Sequence, residues 1–324
     1  AEIIAEIGIN HDGDFDKALR MILDAFWAGC KTVKFQCHVL ESEMLPNNII
    51  PSNANESIWD MMKRCSFTEE EEICIKAFTE NLGINYLCTP FSIAAADRLE
   101  RMNVSMFKIG SGELNNYPLI KHVVEFGKPI ILSTGMNDFR TIDKAVQIIG
   151  DQMYCLLHCT SMYPTPYDQV RLGAMLELKE RYGKPVGLSD HSLGIYTSLA
   201  AVALGAQVVE KHFTSDKSWP GADVPISIDP HELRELVQGS QAIVQALGGH
   251  KEILPGERGT IEFAYASVVS LSDINAGDVF TTDNIGAKRP GTGEIMASDF
   301  EYVLGLPSRT FIPKDTQIKK VWIG

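Results

Sequence analysis

The sequence predicts an α/β protein: a closed (β/α)8 barrel followed by a small, mostly β module. Three observations carry this. Short apolar runs alternate with amphipathic stretches eight times before about residue 247. Helix-stop signals such as Gly127-Lys128-Pro129 and Gly183-Lys184-Pro185 precede several of the runs. After Lys251 the texture changes to short β-like runs punctuated by Gly, Pro and Asp.

In chain order the candidate strands are IIAEIGI (3–9), TVKFQ (32–36), INYLCT (84–89), MFKIG (106–110), PIILST (129–134), YCLLHCT (154–160), PVGLSD (185–190) and QVVEKHF (207–213). Helix-like stretches between them run from Phe15 to Ala28, Thr68 to Leu82, Ala94 to Met102, Thr141 to Ile149, Leu172 to Tyr182 and Tyr196 to Leu204. Eight such units in this length fit a closed barrel. An open doubly wound sheet would want a Gly-rich fingerprint after the first strand, and IGINHDG is not one. The connection from His38 to Phe67, with Pro46, Asn47, Asn48, Pro51 and 53–55, is too long for the pattern and reads as an excursion over the barrel top, either a lid or a passive insertion. The expected domains are the barrel over 1–250, a linker over 251–263 and the small module over 264–324.

With 45% hydrophobic and 22% charged residues in 324, disorder and fibrous folds are excluded. Acidic residues outnumber basic ones by 42 to 29, for a net charge of −13, and no basic run exists, so nucleic acid is not an expected partner. The longest weakly polar stretch, Leu199 to Val209, is too short to span a bilayer, and the first residues read as a strand, not a signal peptide. Seven cysteines without a C-x-x-C pair suggest free buried thiols in a reducing cytoplasm.

Active sites of such barrels form at the C-terminal ends of the strands. There the sequence places Glu6, Asn10 and His11; Lys34 and Gln36; Thr89; Lys108, Ser111 and Glu113; Ser133 and Thr134; His158 and Thr160 to Tyr163; Ser189, Asp190 and His191; and Glu210, Lys211 and His212. Ionisable groups on nearly every strand end exceed what turns need. Lys34 and Lys108 lie in strands that otherwise read as buried, where each ammonium needs an anionic partner. A bound phosphate or carboxylate among Thr89, Ser111, Ser133 and Ser189 would serve; a structural Glu and a Schiff-base lysine are the alternatives. His191 and His212 end adjacent strands. Without nearby cysteines they suit an octahedral Mn²⁺ or Mg²⁺ better than a structural zinc, although a single strand-end histidine is more often only hydrogen bonded. Glu6 either binds a substrate hydroxyl or moves a proton. Asp190 orients a neighbour, and the Trp219-Pro220-Gly221-Ala222-Asp223 loop is either a turn or closes on a ligand through Asp223.

The motifs AEIGINHDG, VKFQ, CTPFS, FKIGSGELNNYPLI, ILSTGM, LLHCTSMYPTPYDQVRLGAM, GLSDHS and EKHFT resemble those of the bacterial N-acetylneuraminate (sialic acid) synthases over essentially the whole chain. The tail ASVVSLSDINAGDVFTTDNIGAKRPGTG resembles the SAF, or antifreeze-protein-like, domain that ends them. The resemblance implies a TIM-barrel transferase that condenses phosphoenolpyruvate with the open-chain aldehyde of N-acetylmannosamine and water, giving N-acetylneuraminic acid and phosphate. It implies a divalent cation on His191 and His212, Mn²⁺ ahead of Mg²⁺ or Co²⁺. Glu6, Lys34, Lys108 and Glu113 would be catalytic. Thr89, Ser111, Ser133 and Ser189 would help hold phosphate and carboxylate, and Gln36, Ser161, Tyr163 and Asp223 would line the sugar end. Arg289, in KRPGTG, would reach the N-acyl group from the partner of a domain-swapped homodimer. Ser161 stands where some relatives have Asn, and Ala222 replaces the Pro of their GPD loop. Both departures leave room for a legionaminic or pseudaminic acid synthase taking a 6-deoxy-2,4-diacetamido hexose. A metal-independent Schiff-base aldolase and a non-catalytic glycan- or ice-binding protein are the competing classes.

Overall fold

The computed structural model describes residues 1–51 and 54–324, so Asn53 of the long insertion lies outside the described residues. The chain divides into two compact units, Ala1–Gly248 and Gly249–Gly324.

The first unit is the expected barrel. Its strands are β1 (Glu2–Gly8), β2 (Thr32–Cys37), β3 (Asn85–Pro90), β4 (Phe107–Ile109), β5 (Ile130–Ser133), β6 (Tyr154–Cys159), β7 (Val186–Asp190) and β8 (Val208–His212). They pair in parallel in the order β3-β2-β1-β8-β7-β6-β5-β4, and β3 and β4 come into contact to close the ring. The helices are α1 (Phe15–Trp27), α2 (Leu40–Glu43), α3 (Ile58–Cys65), α4 (Glu69–Asn81), α5 (Ile93–Arg101), α6 (Tyr117–Glu125), α7 (Phe139–Ile149), α8 (Tyr167–Val170), α9 (Gly173–Tyr182), α10 (Tyr196–Ala203) and α11 (Pro230–Ala246). Their starts follow side-chain caps: Thr68 with Glu71 before α4, Ser92 before α5, Asp138 before α7, and Asp229 with Glu232 before α11. Gly127 and Gly183, the glycines of the two Gly-Lys-Pro signals, both sit at positive φ just after their helices, a conformation that favours glycine.

Side-chain alternation along the strands separates two environments. Residues facing the helices, among them Ala5, Val33, Phe35, Phe107, Leu132 and Val209, join the main apolar core. Inside the barrel, Ile4, Leu87, Ile131 and Leu157 form an apolar layer, and the polar residues two positions further along the strands lie above it.

Parity also decides which strand-end residues leave the interior. His158 turns outward and bonds the Val170 carbonyl at 2.7 Å. His11 stacks on Phe67 with centroids 4.3 Å apart, and Asn10 donates to Phe213 O and Ser227 Oγ. Asp190 and Lys211 pair behind the barrel wall at 3.3 Å, with Ser192 N, Thr197 Oγ1 and Ser198 Oγ also donating to Asp190. These groups hold the fold, which corrects the expectation that all strand-end ionisable groups gather at the mouth.

The second unit carries α12 (Arg258–Ala264), the antiparallel pair β9 (Ser267–Ser270) and β10 (Ile285–Lys288), and α13 (Phe300–Val303) around Val268, Ile274, Phe280, Ile312 and Ile318. Part of the stretch read as a linker is helical. Pro255 opens a 3₁₀ turn with its fixed φ, and the Glu257 carboxylate accepts from Leu254 N.

Burial opposes the Asp190 charge, but Lys211 and the three donors outweigh it and hold the carboxyl below its ordinary value. Its stabilising contribution is therefore full at neutral pH and fades as pH falls below the ordinary carboxylate range. Asp190→Asn at pH 7 should cost about 3–5 kcal/mol by leaving the Lys211 ammonium buried and uncompensated. Calorimetry would show this as a lowered transition for the barrel; an unshifted transition would mean that the pair contributes nothing.

Candidate active site

The interior above the apolar layer opens into a cavity of about 490 Å³. Every site residue expected on the barrel lines it: Glu6, Lys34, Gln36, Thr89, Lys108, Ser111, Glu113, Ser133, Ser161, Tyr163, Ser189, His191, His212 and Asp223. Arg289 is exposed in the second unit, just past β10.

Four charged groups form the floor. Lys34 Nζ lies 2.9 Å from Glu6 Oε2 and 3.7 Å from Glu210 Oε2, while Lys108 Nζ lies 3.5 Å from Glu210 Oε2. All four are buried. Carboxylates of the chain itself thus stand beside both ammonium groups. Glu210 was legible in the sequence, because it precedes His212 by two and shares its strand face. Ser133 Oγ accepts from Lys108 Nζ at 2.7 Å, and Thr89 Oγ1 from Lys34 Nζ at 3.2 Å. Ser189 donates to Glu210 at 3.0 Å, and Ser111 Oγ accepts from Gly135 N at 3.0 Å. Gly135 has no room for a side chain: a Cβ would lie 2.5 Å from Ser161 Oγ and 2.9 Å from Cys159 Sγ.

Burial lifts Glu6 above the usual carboxylate range, against the pull of Lys34. Burial also opposes the Glu210 charge, but Lys108 and Lys34 hold that carboxyl below its ordinary value. Lys108 is pushed down by its burial, whereas Lys34, equally buried, is raised by Glu210 and Glu6. The floor therefore contains one firmly ionised carboxylate and one that holds a proton more readily. Burial raises Glu113 to about 7, with Glu43 adding to the effect.

The two histidines meet as expected, with ring centroids 5.3 Å apart and Tyr163 stacked on His191 at 4.2 Å. His191 Nδ1 donates to the Thr160 carbonyl at 3.0 Å, which makes Nε2 the nitrogen available to a cation; burial opposes a charge on the ring, but Cys159, 3.7 Å from Nδ1, and the Thr160 carbonyl hold it above the ordinary imidazole value. Burial, with His191 and the lysines nearby, pushes His212 far below the ordinary imidazole value, and its buried Nδ1 has no hydrogen-bond partner. Two imidazoles side by side offer nitrogen ligands to a divalent cation, His212 already in its neutral form and His191 on losing the proton that Cys159 favours. Among the described residues no group of three or more His, Cys, Asp or Glu gathers to hold one. The rest of such a cation's shell would have to come from water and substrate, as suits an open catalytic site.

The long insertion supplies one wall. Met44, Pro51, Ile58, Met61 and Met62 line the cavity beside Ile9, and several of them pack into one cluster with Leu40 and Cys65. His38 and Glu43, at the root of the insertion, also line the cavity and carried no role in the sequence reading. The alternation Lys34, Gln36, His38 was the available signal for His38.

Residues 21–252 match the NeuB family and residues 265–321 the SAF domain. The chain is 37% identical over 315 residues to the N,N'-diacetyllegionaminic acid synthase of Campylobacter jejuni, covering 94% of each. It is 35% identical over 295 residues to the N-acetylneuraminate-9-phosphate synthase of Homo sapiens, covering 88% of this chain and 82% of that one. The sialic acid synthetase of Leptospira borgpetersenii, solved with citrate, superposes with a TM-score of 0.74 at 35% identity, covering 81% of this chain and 90% of that one. Among the described residues no helix is long and apolar enough to cross a membrane.

Glu113 offers a check on the electrostatics of the cavity. Its raised value means that the protonated form is the stabilising one, with the contribution complete below about 4.5 and lost as pH rises through about 7. Discounted for partial exposure, Glu113→Gln should stabilise the barrel by about 2 kcal/mol at pH 8, and by much less at pH 5. Melting temperatures at the two pH values test this, and equal shifts at both would contradict the burial effect.

Proposed function

We propose, from the premise that this chain belongs to the NeuB family, that it condenses phosphoenolpyruvate with the open-chain aldehyde of an N-acylated amino sugar and water, giving a nonulosonic acid and phosphate. The observation that carries this reading is the joining, in one cavity, of two buried lysines, their carboxylate partners and a set of hydroxyls to a pair of neighbouring imidazoles. Such a floor suits a small dianionic acid, and the imidazoles suit the cation that activates its partner.

In this reading the ammonium groups of Lys34 and Lys108, with the hydroxyls of Thr89, Ser111, Ser133 and Ser189, bind the phosphate and carboxylate. A cation held by His191 and His212 supplies Lewis-acid polarisation of the sugar aldehyde. Carbon 3 of phosphoenolpyruvate bonds to the aldehyde carbon, and the aldehyde oxygen takes up a proton. Water adds at carbon 2 and loses one proton, and phosphate leaves by cleavage of its bond to carbon 2, taking the remaining hydroxyl proton as the 2-keto group forms. Glu6, which holds a proton readily beside Lys34, is placed to give the first proton. Glu113, poised at about 7, is placed to accept the second.

The wall of the cavity bears on the sugar. Among its described lining residues the only ammonium groups are Lys34 and Lys108 on the floor, and no guanidinium lines it. A phosphate at the far end of the sugar would meet no counter-charge from the barrel. Methyl groups would instead meet Met61, Met62 and Ile58, where each is worth about 1–3 kcal/mol. The missing counter-charge disfavours a sugar phosphate, and the apolar wall favours the extra methyl groups of the 6-deoxy-2,4-diacetamido hexose over N-acetylmannosamine.

Phosphate release from phosphoenolpyruvate with Mn²⁺ should be fastest with the 6-deoxy sugar, stop in EDTA and return with added Mn²⁺. Faster release with N-acetylmannosamine would restore the neuraminate assignment, and full turnover in the chelated sample would remove the cation. Borohydride trapping of Lys34 or Lys108 with pyruvate, without phosphate release, would establish the aldolase instead. For Arg289, the reading predicts that Arg289→Ala raises the KM of the sugar and leaves that of phosphoenolpyruvate unchanged.

A further inference from the structure

The insertion after β2 reaches the cavity floor through a chain of hydrogen bonds that the mechanism above does not use. Glu43 Oε2, on α2, lies 2.7 Å from His38 Nδ1. His38 Nε2 lies 3.0 Å from Gln36 Oε1, and Gln36 Nε2 donates to Glu6 Oε1 at 3.3 Å. The His38 ring is buried and stacked on Phe91, with centroids 4.5 Å apart.

We propose that His38 and Glu43 are positioning residues: they clamp the Gln36 amide with its NH₂ toward Glu6, and so tie the insertion to the geometry of the sugar end. The proposal rests on the synthase reading of the site. The amide has two faces of opposite polarity, and nothing in its own torsions selects one. In the ionised form of Glu6, which Lys34 at 2.9 Å from Oε2 supports before substrate arrives, the oxygen facing the amide is an acceptor, so the NH₂ belongs there. The amide oxygen must then face a donor, which requires the proton on His38 Nε2. With that nitrogen donating, Nδ1 faces Glu43 across a contact that holds one further proton, on the ring or on the carboxyl. Each link thereby sets the next, and Glu43 is the anchor because it sits on α2 at the start of the insertion. Released from the clamp, the amide is free to flip and present its oxygen to Glu6, two acceptors facing each other. Gln36 lines the cavity between Glu6 and His38, so the flip costs the incoming sugar a fixed donor.

Three variants and one spectrum test this. His38→Phe keeps the stack on Phe91 and deletes both donors; it should raise the KM of the sugar about tenfold, with a smaller change in kcat and none in the KM of phosphoenolpyruvate. Glu43→Ala should do the same, and Glu43→Gln, whose amide NH₂ can donate to Nδ1 of the Nε2-protonated ring, should restore most of the loss. An unchanged sugar KM in His38→Phe overturns the clamp, as does an equal rise for both substrates, which would mark general damage to the cavity. In the unliganded wild type, ¹⁵N spectra of histidine-labelled protein should show His38 Nε2 carrying a proton; an unprotonated Nε2 overturns the proposed orientation. Wild-type protein that turns over no sugar would remove the functional reading, and the His38 ring state would still decide the clamp.

Discussion

Four charges buried inside a barrel set the terms for the rest of this molecule. Lys34, Lys108, Glu6 and Glu210 would each be costly in an apolar interior, and together they are tolerable because every ammonium has a carboxylate within 4 Å. The apolar layer of Ile4, Leu87, Ile131 and Leu157 beneath them keeps water from entering from below. What remains open is the mouth, so whatever binds there meets concentrated charge in poorly solvated surroundings, where electrostatic interactions are strongest.

A near-neutral floor also explains how the site can take an anion without being destabilised when empty. Glu210 stays ionised and satisfies both lysines, whereas Glu6 is lifted by burial and holds a proton more readily. The two histidines sit to one side, with His191 oriented by the Thr160 carbonyl and covered by Tyr163. The same economy applies behind the wall. Asp190 and Lys211, adjacent in sequence to His191 and His212, satisfy each other outside the barrel and fix the two strand ends that carry the imidazoles.

Much of this was legible in the sequence because the signals are local. The alternation of apolar runs with amphipathic stretches and the Gly-Lys-Pro stops marked the eight strands to within one residue at every end, and with them the strand ends that carry Glu6, Lys34, Gln36, Lys108, Ser189, His191 and His212. Helices α6 and α11 were not singled out. The stretch at 255–263 read as part of a linker because its polar composition carries less information than the single Pro and Glu that start the turn.

Taken alone, the sequence determined the barrel, the polar strand ends and the motifs that tie the chain to its family, since each depends on near neighbours along the chain. It did not decide which strand-end ions face inward as partners and which pair behind the wall, and it gave Glu210, His38 and Glu43 no role. Those are questions of strand parity and register summed around a closed ring, where residues up to about 200 positions apart become neighbours, as Glu6 and Glu210 do through Lys34. Only the closed tertiary structure sets those distances, and with them the charge each group carries.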